Sequence, residues 1–95
     1  MSHAFFHPFA DPAKAEDAFI DIVRAEGSML YDDTGKGYLD GLASLWYCQV
    51  GHGRHEIIDV VTNQLRTLDA YNTFDPFTNG AARAAAEAII ARSPF

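Results

Sequence analysis

The sequence predicts an α+β arrangement of an irregular arm, a short helix, a β-hairpin and two helices. Three observations predict it. Two short apolar runs, Met29-Leu30-Tyr31 and Tyr38-Leu39-Asp40, flank the turn-forming stretch Asp32-Asp33-Thr34-Gly35-Lys36-Gly37. Ile57, Ile58, Val61, Leu65 and Leu68 recur at the spacing of one apolar helical face. A second apolar stripe, Ala82, Ala85, Ala86, Ile89 and Ile90, runs over Ala81 to Arg92 and is stopped by Pro94.

Residues 1–12 form the arm. Pro8 and Pro12 stand among His3, Phe5, Phe6, His7 and Phe9, so a regular helix is disfavoured, and the phenylalanines are too apolar to be left in water. Asp11-Pro12 resembles an N-cap followed by proline at the first helical position. Ala13 to Asp17 are good helix formers, which predicts a short helix there. Ala18 to Arg24, AFIDIVR, mixes β-branched and aromatic residues with no clear period, and an extended exit from the helix is favoured. The hairpin follows.

Asp40 to Arg54 reads DGLASLWYCQVGHGR and is the most informative stretch. Gly41, Gly51 and Gly53 allow tight turns at both ends, with Leu45-Trp46-Tyr47-Cys48 between them as a rigid apolar block suited to the wall of a pocket. The helix over Arg54 to Leu68 carries Arg54, Asp59, Asn63 and Arg66 around its polar side. Its connector to the last helix, Asp69 to Gly80, holds Tyr71, Phe74, Pro76 and Phe77 and is more aromatic than a solvated loop. Alanines on the last helix permit close approach by another helix. The expected division is 1–12 for the arm, 13–53 for the short helix, hairpin and aromatic block, and 54–95 for the two helices and their connector.

Hydrophobic residues make up 48% of the 95 and charged residues 21%, a globular balance. A free-standing domain of this size buries between roughly 60% and 68% of its unfolded surface, a modest core. Thirteen acidic residues outnumber seven scattered basic ones, which excludes a nucleic-acid footprint. Cys48 is alone, so a reducing compartment is the simpler expectation. The N-terminus lacks the pattern of a secretory signal, and no stretch approaches membrane-spanning length. A cytoplasmic protein is expected.

Several constellations resolve to ordinary roles. Gly51-His52-Gly53 lacks the third glycine of a dinucleotide turn, that position being Glu56, and is read as shaping the entry to the helix. His52 with His55, and His3 with His7, fall short of the three or four convergent ligands of a zinc site, so no metal is expected and hydrogen bonding accounts for all four histidines. On residue type alone, Trp46 and Tyr47 fit a core ahead of a ligand wall.

The order of motifs from His7 to Pro94 resembles the N-terminal segment of the class III pyridoxal phosphate-dependent aminotransferases. The matching pieces are His7-Pro8-Phe9 with Asp11, Gly27 with Leu30-Tyr31-Asp32, Gly35 with Tyr38-Leu39-Asp40-Gly41, Leu45-Trp46, Val50-Gly51-His52-Gly53, Gln64-Leu65 and Tyr71-Asn72-Thr73-Phe74. Trp46, the HPF arm and the YNTF connector resemble the ω-aminotransferases, which use amines or ω-amino acids with pyruvate.

The resemblance implies an α/β fold type I enzyme, a homodimer whose two active sites lie at its interface, with pyridoxal 5'-phosphate as cofactor and amines and keto acids as substrates. It implies that Leu45 and Trp46 form pocket wall, that Phe9 closes the pocket from the arm, and that Phe74 reaches into the site of the other subunit. For Trp46 it reverses the preference for a core. The family's Schiff-base lysine, the aspartate for the pyridinium nitrogen and the phosphate-binding turn have no counterparts among matching positions, since Lys14 and Lys36, the only lysines, fall in the arm helix and the hairpin turn. The expectation is therefore an N-terminal segment with no catalytic residues, which binds no cofactor and is inactive alone. The competing expectation is a free-standing interaction module that binds a partner protein through Trp46 and Phe74.

Overall fold

A computed structural model describes residues 4–95 of the chain. Residues 1–3 of the expected arm, His3 among them, lie outside the described residues. The chain divides into two units, Met1–Ile58 and Asp59–Phe95.

In the first unit the described part of the arm is irregular, and the expected helix over Ala13 to Asp17 gives way to a single 3-10 turn, Glu16–Ala18. Asp11 does act as a local cap, accepting from the Ala13 amide at 2.9 Å. The helix does not propagate because Ala15 is extended (φ -65°, ψ 144°), and so short a segment supplies too few hydrogen bonds to repay nucleation.

The ambiguous AFIDIVR stretch resolves into strand β1, Ile22–Glu26. With β2, Met29–Asp32, and β3, Gly37–Leu39, it makes an antiparallel meander in the order β1-β2-β3, one strand more than the expected hairpin. Glu26 pairs with Met29 across the two residues Gly27-Ser28, and Gly27 takes φ 57°, open to glycine at no steric cost. Arg24 faces Tyr31 in the register and lays its guanidinium 3.6 Å from the ring centroid. In the β2–β3 pair Leu30 opposes Tyr38, as the hairpin reading requires.

Asp32 organises the turn. Its carboxylate accepts from the Thr34 amide (2.9 Å) and hydroxyl (2.7 Å), the Lys36 amide (3.0 Å) and the Tyr38 hydroxyl (2.9 Å). The Thr34 hydrogen bond, followed by that from Tyr38, outweighs burial and holds its pKa at about 2.

Helix α2, His55–Thr67, begins in the first unit and continues into the second. Helix α3, Gly80–Arg92, is capped by Asn79, whose side chain accepts from the Ala82 amide at 2.9 Å. Both helices lie where the apolar periodicity puts them.

The expected core is absent. Among the described residues no hydrophobic side chain is buried, and the one buried polar residue is Asp32, 8% exposed. Surface scaling gives about 5,400 Å² for a folded monomer of this mass, whereas the chain exposes 8450 Å². Among the described residues its apolar faces are exposed.

Candidate functional site

The Asp40 to Gly53 loop leaves β3 and returns to the sheet. Its return is fixed by a backbone pair: the Gly27 amide donates to the His52 carbonyl (3.0 Å) and the His52 amide to the Gly27 carbonyl (2.8 Å). Gly51 makes this approach possible, since it stands at φ 88° and a Cβ there would lie 3.3 Å from the Gly27 carbonyl oxygen.

At the loop's start the Asp40 amide donates to the Ser28 carbonyl at 2.8 Å. The Asp40 carboxylate ties the loop across its width, accepting from the Ser44 amide at 2.9 Å and meeting His52 Nε2 at 2.6 Å. The hydrogen bond from His52, then that from Ser44, lowers its pKa below the usual carboxylate value. The other imidazole nitrogen, Nδ1, lies 3.5 Å from Cys48 Sγ.

Between these ties the apolar block forms an irregular turn, α1 (Ala43–Trp46). Ala43 (φ 48°), Ser44 (φ 62°) and Trp46 (φ 75°) are left-handed without being glycine. Each such residue costs on the order of 1–3 kcal/mol unless its surroundings impose it, and such strain concentrates at ligand clamps and active sites. The amides of Trp46, Tyr47 and Cys48 remain satisfied within the turn, on Leu42 and Ala43 carbonyls. The side chains stand exposed, Leu45 at 60% and Trp46 at 75%.

Phe9 is fully exposed and also left-handed, at φ 56°. A small cleft in the arm is lined by Phe5, Phe6, His7 and Phe19 among others, without Phe9, Leu45 or Trp46. There His7 stacks on Phe19 with 3.7 Å between centroids and meets Glu16 at 3.2 Å. Phe74 belongs to the second unit. Its loop is braced by an edge-on contact of Tyr71 with Phe77 and by Asn72 accepting from the Phe74 amide at 3.1 Å, which leaves the Phe74 ring 81% exposed. The structure therefore brings Leu45 and Trp46 together on one turn, while Phe9 and Phe74 each stand on a separate local element.

Asp40, Ser44, Cys48 and His52 are residues that the sequence reading did not assemble. Gly51-His52-Gly53 was visible as a turn, but the twelve-residue separation of Asp40 and His52 follows no local spacing rule.

The family model for class-III aminotransferases matches residues 11–94. This chain belongs to the class-III aminotransferase family. It corresponds to the N-terminal part of the family's pyridoxal phosphate-dependent fold. Among the family's members it is 54% identical over 48 residues to a β-alanine–pyruvate aminotransferase of Pseudomonas aeruginosa, half of this chain and 11% of that protein. It is 38% identical over 68 residues to a putrescine–pyruvate aminotransferase of the same species, 70% of this chain and 15% of that protein. A crystal structure of the Pseudomonas jessenii ω-transaminase in complex with PMP superposes with a TM-score of 0.88 at 30% identity, over 95% of this chain and 20% of that one. A variant of that transaminase with one tryptophan replaced by glycine, engineered for asymmetric synthesis of enantiopure bulky amines, gives 0.88 at 27% identity over the same shares. The class-III segment described here thus spans a small part of the length of the proteins it matches.

Both lysines of the chain lie against aromatic rings. Lys14 Nζ lies 4.3 Å from the Phe19 ring centroid and Lys36 Nζ 4.9 Å from that of Tyr38. Each ammonium is held against an aromatic face in its own local element. Among the described residues no three His, Cys, Asp or Glu side chains are grouped to hold a metal ion, and no helix is long and apolar enough to cross a membrane.

Proposed function

We propose that this chain supplies the substrate-facing wall of a pyridoxal phosphate-dependent ω-aminotransferase, which moves an amino group from an amine or ω-amino acid to a keto acid such as pyruvate. Leu45 and Trp46 form the wall, Phe9 closes it from the arm, and Phe74 reaches into the site of the second subunit of a homodimer. The lysine, the pyridinium partner and the phosphate-binding turn come from the rest of the enzyme, so the 95 residues alone bind no cofactor and are inactive. A cytoplasmic location accords with the solitary Cys48.

The substrate class rests on the pyruvate aminotransferases among the relatives. The wall is supported by one structural observation above others: Trp46 is held exposed at φ 75° on a turn tied at Asp40, a strained conformation that a larger surrounding would impose and use. An interaction module would need one apolar patch, whereas here exposure extends over the arm, the loop and both helices.

The test joins this segment to the remainder of a class-III relative and replaces Trp46 with glycine. The kcat/KM ratio of a bulky to a small amine is expected to rise at least about tenfold, since opening a pocket by several heavy atoms changes discrimination on that scale. An unchanged ratio accompanied by a large fall in Tm would assign Trp46 to packing and remove the wall.

A further inference from the structure

We infer that Asp40 is the positioning residue for Trp46, held in place by His52, and that it thereby sets how large an amine is accepted; this rests on the reading of Trp46 as pocket wall. One oxygen, Asp40 Oδ2, takes both contacts. The Ser44 amide donates to it at 2.9 Å, and His52 Nε2 lies 2.6 Å away. An ionised carboxylate only accepts, so Nε2 carries the imidazole hydrogen and donates. The carboxylate is 6% exposed, and both bonds are stronger for the scarcity of competing water.

The anchor of this pair lies outside the loop, on the sheet. The Asp40 amide donates to the Ser28 carbonyl at 2.8 Å, and His52 exchanges its backbone hydrogen bonds with Gly27 at 2.8 and 3.0 Å. Gly27 and Ser28 are the two residues that join β1 to β2. The acceptor oxygen therefore has a fixed place, and the Ser44 amide must come to it.

Ser44 is the residue whose backbone most needs holding. At φ 62° and ψ -85° it is near the positive-φ γ-turn conformation, which is rare and strained. Hydrogen bonds to an ionised acceptor are stronger than neutral ones, and this one falls on that residue. Only Leu45 separates Ser44 from Trp46, whose amide donates to the Leu42 carbonyl at 2.9 Å and whose carbonyl accepts from the Gln49 side chain. Without the Asp40 acceptor, Ser44 is free to relax to negative φ and carries the indole with it. A wall that has lost its fixed place discriminates less by size.

The experiment uses the holoenzyme formed by joining this segment to the remainder of a class-III relative. The kcat/KM ratio of a bulky to a small amine is measured for the parent, Trp46→Gly, Asp40→Ala, Asp40→Asn and the Trp46→Gly, Asp40→Ala double variant. Asp40→Ala is expected to raise the ratio at least about threefold, in the direction of Trp46→Gly. Asp40→Asn keeps an acceptor oxygen for both donors and is expected to stay closer to the parent. In the Trp46→Gly background Asp40→Ala is expected to leave the ratio unmoved, because the side chain it positions is gone. A role in stability alone lowers Tm and both kcat/KM values together and leaves their ratio as it was. The inference is overturned by a parental ratio in Asp40→Ala, or by an equal rise with and without Trp46. If Trp46→Gly moves the ratio and Asp40→Ala does not, the positioning role fails and the wall stands; if Trp46→Gly does not move it, both fail. Should Asp40→Ala give no folded holoenzyme, His52→Ala decides, since it removes the ring and keeps the backbone pair with Gly27: a raised ratio supports the inference and a parental one overturns it.

Discussion

The two units hold themselves together by different means. In Met1–Ile58 three strands pair, the Asp32 carboxylate gathers four donors in the hairpin turn, and Asp40 and His52 tie the following loop back to the sheet. In Asp59–Phe95 the side-chain hydrogen bonds are short-range ones within a helix or its flanking loop, and Val60, Val61, Leu65, Ile89 and Ile90 are exposed. One unit is made of local polar ties. The other consists of helices whose apolar faces need a cover, as helices of this length are marginal in water without tertiary packing.

The largest effect in the chain is expected from Asp32→Ala. It strips four hydrogen bonds from one turn and leaves the donors of Thr34, Lys36 and Tyr38 without their acceptor. The Gly37–Leu39 pairing should be lost, read as collapse of the Thr34 and Lys36 amide chemical shifts to random-coil values, with α3 unchanged. Persistence of those shifts would show that the strands hold without the turn.

Acid should act on the same unit to a smaller degree. The pKa of Asp32 is about 2 in the folded chain against an ordinary 3.8, so its contribution is complete above the ordinary value and lost as pH falls through the folded one. Asp40 is shifted in the same direction by His52 and Ser44. The hairpin signals should therefore weaken from about pH 4 to about pH 2, and the loop signals should weaken on acidification in the same direction. Loss already complete at pH 5 would contradict the assignment.

The smallest effect is expected in the second unit. Ile89→Gln replaces an apolar side chain that is 69% exposed, so the isolated chain should change by no more than about 0.5 kcal/mol. A cost of several kcal/mol would reveal burial within the chain itself.

What the sequence discloses follows the same division. The hairpin and both long helices are legible because their signals are local: an Asp and Gly turn between apolar runs, and apolar residues at helical spacing. Strand β1 is obscured because Phe19, Ile20, Ile22 and Val23 put apolar residues on both parities. The Gly27-Ser28 pair between Glu26 and Met29 was the available signal for the extra turn. The conformation of α1 is not legible, because Ala43, Ser44 and Trp46 take positive φ against their own preferences and only the Asp40 tie marks the place. Trp46 could be singled out by its neighbours in sequence. The trio of Asp40, Cys48 and His52 depends on the loop closing against Gly27 and had to be seen in three dimensions.

The contrast between a self-tied unit and an uncovered one is tested most directly by amide hydrogen exchange along the intact 95-residue chain. Amides in the β1–β2 and β2–β3 pairs, together with those of Gly27 and His52, are expected to be protected, and those across 60–67 and 84–92 to exchange close to the unfolded rate. Equal protection in α3 and the sheet would contradict this, because it would require the helical faces to be covered within the chain.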